Sequence, residues 1–285
     1  MLRLRVLSAG VLASVVIVVF LAGQPWLSLG VAGLALIGGR EASRLVAAAG
    51  LPVERIVGLG VPPLAVLGLG LAHHQVGSAF GAVALVVLLA AVLAFRRPVA
   101  RDGFLAWVGT SFAPLYVALL AFVPGILAVA PVVPAGAPLG GGLLDAGRTW
   151  LLILVLTVWS YDTAAFVTGR TLGRRPFLSH ISPQKTWAGV VGGLVAAMAV
   201  AGALAWGAGQ QLVVGLLLGS LIAAAAQAGD VAESLLKRAA GAKDSGALIP
   251  GHGGILDRID SFLFAAPAMY VALTWLPPPG VGAVP

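Results

Sequence analysis

Residues 211–229 read QLVVGLLLGSLIAAAAQAG, and residues 230–260 continue DVAESLLKRAAGAKDSGALIPGHGGILDRID. The first stretch carries no charge and is long enough to cross a bilayer when tilted or packed inside a bundle. The second holds Asp230, Glu233, Asp244, Asp257 and Asp260, five of the chain's ten acidic residues. Lys237, Arg238, Lys243, His252 and Arg258 are interleaved with them. Charge set against a membrane is expensive, so such a cluster marks a functional site by default. Carboxylates, bases and a Gly-rich turn together suit a metal-bound polyphosphate.

The rest of the chain repeats the apolar theme. It is 60% hydrophobic and 9% charged, with mean hydropathy +1.04, where soluble domains average about 25% charged. The expected fold is an all-α polytopic membrane bundle. Nine spans are expected, near 6–23, 27–49, 56–72, 78–95, 104–123, 149–168, 187–207, 211–229 and 259–276. Eight is the alternative, because Arg40, Glu41 and Arg44 break the second span and the third is short. The first apolar run is longer than the core of a signal peptide, which favours an uncleaved span. One membrane domain is expected, with N-terminal helices and a Pro/Gly-rich external loop over 1–148. A catalytic region over 149–276 and a short tail over 277–285 follow. With no cysteine, disulfides and thiolate chemistry are excluded.

The net charge of +7 is assigned to topology and anionic lipid headgroups. No basic patch interleaved with aromatics points to nucleic acid. With the N-terminus in the cytoplasm and nine alternating spans, 16 of the 17 Lys and Arg residues fall on the cytoplasmic side, and only Arg148 outside. Loop 169–186 and segment 230–258 then share that face, within reach of cytosolic nucleotides. The external loop 124–148 reads as a connector. Trp26, Trp107, Trp150, Trp187 and Trp275 fall near span ends, as interfacial anchors do. His73 and His74 read as a solvated external loop.

Asp230, Glu233, Ser234 and Lys237 are spaced i, i+3, i+4, i+7 and lie along one helix face. Asp257 and Asp260 are likewise three apart where the last span begins. Two carboxylates from each of two helices could flank Mg²⁺, which prefers oxygen and leaves positions for phosphate. The bland alternative is an ion-pair network at the membrane boundary. Between the helices, Pro250-Gly251-His252-Gly253-Gly254 offers backbone N–H groups to an anion, or is an ordinary tight turn. A second constellation covers 159–189. It places Asp162 in or near the end of a span, then Arg170, Arg174, Arg175 and Lys185. Ser182 as cap and Pro183 at the first position are expected to open a helix whose N-terminus, with Lys185 and Thr186, binds phosphate. The alternative there is a stop-transfer loop with a routine cap.

Together these segments resemble the bacterial phosphatidate cytidylyltransferases, or CDP-diacylglycerol synthases. The C-terminal pattern is filled by Ser234, Lys237, Arg238, Lys243, Asp244, Pro250 to Gly254, Asp257, Arg258 and Asp260. Upstream, Asp162, Thr163, Ala165, Ser182, Pro183, Lys185, Thr186 and Gly189 agree, while Phe166, Gln184 and Ala188 replace the usual Tyr, Lys and Glu. The resemblance covers about residues 150–270 and implies CTP plus phosphatidate giving CDP-diacylglycerol and diphosphate. It implies Mg²⁺ held among Asp230, Asp257, Asp260 and Glu233, with room for a second, monovalent cation. Lys237, Arg238, Lys243, Asp244, His252 and Arg258 are the implied catalytic groups. Asp162, Ser182, Lys185, Thr186, Ser234, Gly253 and Gly254 are the implied substrate and phosphate contacts. A bacterial inner-membrane enzyme follows, working at the cytoplasmic face among membrane lipids, with a homodimer as one option for its assembly. The rivals are a CTP-dependent polyprenol or lipid kinase and, from another class, a transporter. A transporter would place its charges near the midplane of both halves.

Overall fold

Helix is imposed by the medium the sequence calls for: in hydrocarbon the backbone must satisfy its own hydrogen bonds. The structure, a computed structural model, describes residues 14, 16–71, 76–140, 142, 144–248 and 253–275. Residues 16–22 are helical. From there the described residues form α1 (Trp26–Ala48), α2 (Arg55–Leu71), α3 (Val76–Ala94), α4 (Ala100–Ala118), α5 (Phe122–Val129), α6 (Ala146–Leu172), α7 (Trp187–Gly207), α8 (Leu212–Ala239) and α9 (Leu256–Trp275). Among these residues there is no strand, only an isolated bridge between Pro176 and Thr186.

Among the described residues, four stretches are long and apolar enough to cross a membrane: Ala100–Val129, Ala146–Leu172, Trp187–Gly207 and Leu212–Ala239. Arg55–Leu71 and Gly81–Ala94 are shorter apolar helices. The chain is an all-α membrane protein, as its composition requires.

Three expectations need correction. The connector expected from residue 124 starts later, because a 3₁₀ turn, Leu119–Ala121, carries α4 into α5. Trp150 is no interfacial anchor: it is fully buried, and its indole N–H donates to the Pro131 carbonyl at 2.9 Å. The helix after loop 169–186 starts at Trp187, not at Ser182. His73 and His74 lie outside the described residues.

The chain divides into two compact units, and the division runs through α8 and α9. One unit comprises the chain up to Pro124 with Ala232–Asp260. Its core joins Ala42, Leu45 and Val46 of α1, Val66 of α2, and Ala113 and Val117 of α4. The first turn of α9 enters this core beside α1, where a Cβ added at Gly38 would lie 3.1 Å from Ile259 Cδ1.

The other unit comprises Gly125–Val231 with the chain from Ser261. Here α7 buries Gly189, Gly193, Ala197, Ala201 and Ala205, a small residue at every fourth position. Such a stripe lets backbones approach closely. A Cβ at Gly189 would lie 2.8 Å from the Ala165 carbonyl of α6. Gly215 and Gly219 of α8 meet Ala201 and Ala197 in the same way.

Candidate active site

In the first unit, the C-terminal end of α8 and the start of α9 bring charge together. Lys237 Nζ is 2.6 Å from Glu233 Oε2, one turn earlier on α8, and 2.6 Å from Asp257 Oδ1 in the first turn of α9. Gly241 ends α8 with φ +66°, and the Ala242 N–H donates to the Lys237 carbonyl at 2.8 Å. This is the left-handed closure that favours glycine. Arg238 Nη1 adds a bond to the Ala242 carbonyl at 3.1 Å.

Asp257 is saturated. Its Oδ2 accepts from Ser245 N at 2.9 Å, Ser245 Oγ at 2.8 Å and Gly254 N at 2.9 Å, while Oδ1 takes Lys237. Burial alone would raise its pKa, but the Lys237 ammonium and these donors outweigh that and hold the carboxyl down at about 2. Asp257 is therefore ionised at neutral pH. A carboxylate in the first helical turn also meets the positive end of the helix dipole.

Glu41 of α1 completes this arrangement. It is buried, and its Oε2 accepts from Leu256 N at 2.7 Å and from Ser245 Oγ at 3.2 Å. The Ser245 hydroxyl has one proton to give, and the shorter contact to Asp257 takes the larger share. Gly254 is a glycine because a Cβ there would collide with Ser245 Oγ and lie 2.5 Å from Glu41 Oε2. Glu233 is fully buried, and its Oε1 accepts no hydrogen bond. Asp260 is half-buried, close enough for its charge to act on Glu233. Ser234 is half-buried, while Lys243, Asp244 and Arg258 are exposed. His252, with Pro250 and Gly251, lies outside the described residues; Gly253 has φ +81°.

The second cluster belongs to the other unit. Lys185 Nζ pairs with Asp230 Oδ2 of α8 at 2.7 Å. Asp162 of α6 lies close enough to both for their charges to act on it. Beside it, the Tyr161 hydroxyl donates to Gln227 Oε1 at 2.5 Å, tying α6 to α8. The loop before α7 folds back on itself: Phe177 N donates to Lys185 O at 2.7 Å, and Trp187 N to Arg175 O at 3.1 Å. Pro183 follows Ser182 in a turn closed by Lys185 N on Ser182 O at 3.2 Å. The cap of α7 is Thr186, whose Oγ1 accepts from Gly189 N at 3.2 Å. Ser182 thus shapes the turn that presents Lys185, and the helix dipole begins four residues later than expected.

Of the four expected metal ligands, Asp230 belongs to one unit, and Glu233, Asp257 and Asp260 to the other. Among the described residues no three His, Asp or Glu side chains converge on a common point. Lys185 pairs with Asp230, and Lys237 with Glu233 and Asp257. Sequence reasoning missed Glu41, Ser245 and the Tyr161–Gln227 pair. An acidic residue inside an apolar span was the available signal for Glu41.

Fold and site define a class: an all-α membrane protein whose paired lysines and carboxylates gather around the ends of its C-terminal helices. The chain belongs to the cytidylyltransferase family, whose model matches residues 3–276. It is 46% identical over 129 residues to a phosphatidate cytidylyltransferase of Brucella suis, covering 44% of this chain and 47% of that protein. A Synechocystis phosphatidate cytidylyltransferase is 46% identical over 138 residues, 46% of each chain. One from Bacillus subtilis is 41% identical over 129 residues, 45% of this chain and 48% of that protein. The chain thus spans about half the length of the curated relatives it matches.

Proposed function

We propose that the chain catalyses CTP plus phosphatidate giving CDP-diacylglycerol plus diphosphate. The observation that carries this reading is the filled signature from Ser234 to Asp260 in a chain of the cytidylyltransferase family. The relatives named for this activity support it. A lipid phosphate oxygen attacks the α-phosphorus of CTP, a P–O bond forms, the bond to the β-phosphate bridge breaks, and diphosphate leaves. The lipid phosphate, with its second pKa near ~6, is already largely dianionic and needs no general base. The task left to the protein is to hold two anions together and neutralise charge as diphosphate departs.

Each unit offers one paired lysine suited to a phosphate, Lys185 in one and Lys237 in the other. Each is held now by carboxylates, Asp230 in one case and Glu233 with Asp257 in the other. Incoming phosphates would compete for these ammonium groups, and Asp230 and Glu233, once released, would be available as oxygen donors. The donor set fits Mg²⁺: all its atoms are oxygen, and the buried Glu233 Oε1 has no partner. Mg²⁺ is commonly held by one or two carboxylates plus substrate phosphates. Asp230 with Asp162 would hold it, and Glu233 with Asp260 is the other pair. Asp257, with both oxygens engaged, positions Lys237 and the start of α9 instead. When bound, the metal ion would stabilise charge on the phosphates. The enzyme would work in a bacterial inner membrane, facing the cytoplasm, where CTP is available and the two-chain lipid is retained.

The test is purified protein in micelles with CTP, Mg²⁺ and phosphatidate. CDP-diacylglycerol and diphosphate in equal amounts are expected. CDP together with a phosphorylated lipid would assign the kinase reaction instead, and no product from folded protein would reject the proposal.

A further inference from the structure

Away from both clusters, the first unit contains a half-open cavity of about 390 Å³ where α1 gives way to α2. Arg40 and Arg44, one turn apart on α1, and Arg55 at the start of α2 line it. Ser43, Val53 and Leu59 form part of its wall. None of the three guanidinium groups has a carboxylate partner among the described residues. The acidic side chains nearest in sequence are engaged elsewhere. Glu54 pairs with Arg97 at 3.0 Å, and Glu41 turns to Leu256 and Ser245. Ser43 Oγ is buried and makes no hydrogen bond.

Three like charges around one hollow repel each other unless an anion sits between them. Guanidinium forks match phosphate oxygens in a bidentate manner. Topology alone calls for basic residues near this membrane face, but it does not call for a cavity that three of them line. We infer that this cavity is a binding site for the phosphate headgroup of an anionic lipid, separate from the reacting groups. Arg40, Arg44 and Arg55 clamp the phosphate. Val53 and Leu59 lie against the glycerol and the upper acyl chain. A lipid suits the site better than a free anion because Val53 and Leu59 set apolar wall beside the arginines. The inference stands whether or not the chain makes CDP-diacylglycerol.

Arginine modification by phenylglyoxal, mapped by peptide mass spectrometry, tests it on the full chain in nanodiscs. Arg101, exposed and outside the cavity, is the internal reference. Nanodiscs of phosphatidylcholine alone are compared with nanodiscs containing phosphatidate. Phosphatidate is expected to slow modification of Arg40, Arg44 and Arg55 by about fivefold or more relative to Arg101, as a bidentate clamp requires. Equal slowing of Arg101 would reduce the effect to surface charge and overturn the inference. Equal protection in phosphatidylcholine nanodiscs by inorganic phosphate or CTP, at matched concentration, would overturn the lipid assignment in favour of a soluble anion. An Arg40→Gln/Arg44→Gln variant should leave Arg55 unprotected, and Arg40→Lys/Arg44→Lys should restore part of the protection. Full protection of Arg55 in the glutamine variant would also overturn it.

Discussion

Lys237→Met is the most direct test of the geometry around α8 and α9. The Lys237 side chain is 12% exposed, Glu233 0% and Asp257 10%. Methionine keeps most of the length and packing of lysine but removes the ammonium. Asp257 would keep its three donors from Ser245 and Gly254. Glu233, by contrast, would lose the ammonium that its Oε2 holds at 2.6 Å, with Oε1 already lacking a partner. The cost therefore concentrates on one buried carboxylate. Breaking a buried pair by removing one partner costs about 3–5 kcal/mol. Replacing both members by neutral groups is often close to neutral. Lys237→Met combined with Glu233→Gln should thus recover most of the loss, ending within about 1–2 kcal/mol of the parent protein. Equilibrium unfolding in mixed micelles gives the stabilities. Hydrogen exchange at the Ser245 and Gly254 amides reports whether the Asp257 bonds survive. Both variants should be inactive, because the ammonium itself is assigned to the phosphates. A loss below about 1 kcal/mol, typical of exposed pairs, or a double variant no better than the single one, would refute this account of the cluster.

Four further outcomes are expected. Glu41→Ala should cost about 1.5–3 kcal/mol, the range for a hydrogen bond to a charged group, and should expose the Leu256 amide to exchange; unchanged protection would contradict the bond to Glu41. Gly254→Ala should destabilise by about 1–3 kcal/mol, as overpacking does, because its Cβ meets Ser245 and Glu41; a variant as stable as the parent would show that the contact relaxes freely. Lys185→Ala should lower kcat/KM with a loss of about 2–4 kcal/mol of transition-state stabilisation, and a change within about twofold would return loop 169–186 to a purely topological role. A cysteine introduced by Ala247→Cys, exposed beside the buried Ser245, should react with a charged thiol reagent only from the cytoplasmic side of oriented vesicles; labelling from the opposite side would overturn the orientation.

The helices were legible because a membrane leaves the backbone little choice. The span expected over 187–207 coincides with α7, and 27–49, 56–72 and 259–276 fall within a few residues of α1, α2 and α9. What escaped was contact at long range. Glu41 reaches Ser245 across 204 positions and Leu256 across 215. In a hydropathy profile the same carboxylate only interrupts a span. Trp150 misled for a related reason: its position near a span end says nothing of the Pro131 carbonyl that receives its N–H. At Ser182 the local rule was sound but incomplete. Ser-Pro suits a cap, yet Lys185 O and Trp187 N are taken by Phe177 and Arg175, so the chain makes a turn at Ser182–Lys185 and the helix waits for Thr186.

A signature records which residues recur together, and geometry separates why they do. Ala165 and Gly189 meet where α6 and α7 cross, and Thr186 caps α7. Gly254 makes room for Glu41 and Ser245, and Asp257 spends both oxygens on the start of α9 and on Lys237. These positions are filled because the fold around the site needs them. Asp162, Lys185 and Asp230 differ: Lys185 pairs with Asp230 at 2.7 Å, and the charges of both act on Asp162 from the loop and α8. A ligand can exchange with an ion pair held this way at little structural cost, whereas displacing Asp257 would unsatisfy four donor contacts at once. Loss of activity alone therefore cannot distinguish the two groups. Unfolding can: Asp257→Asn should destabilise the first unit, and Asp162→Asn should leave stability nearly unchanged while lowering turnover. The reverse pattern would count against the proposed metal and phosphate site at Asp162 and Asp230.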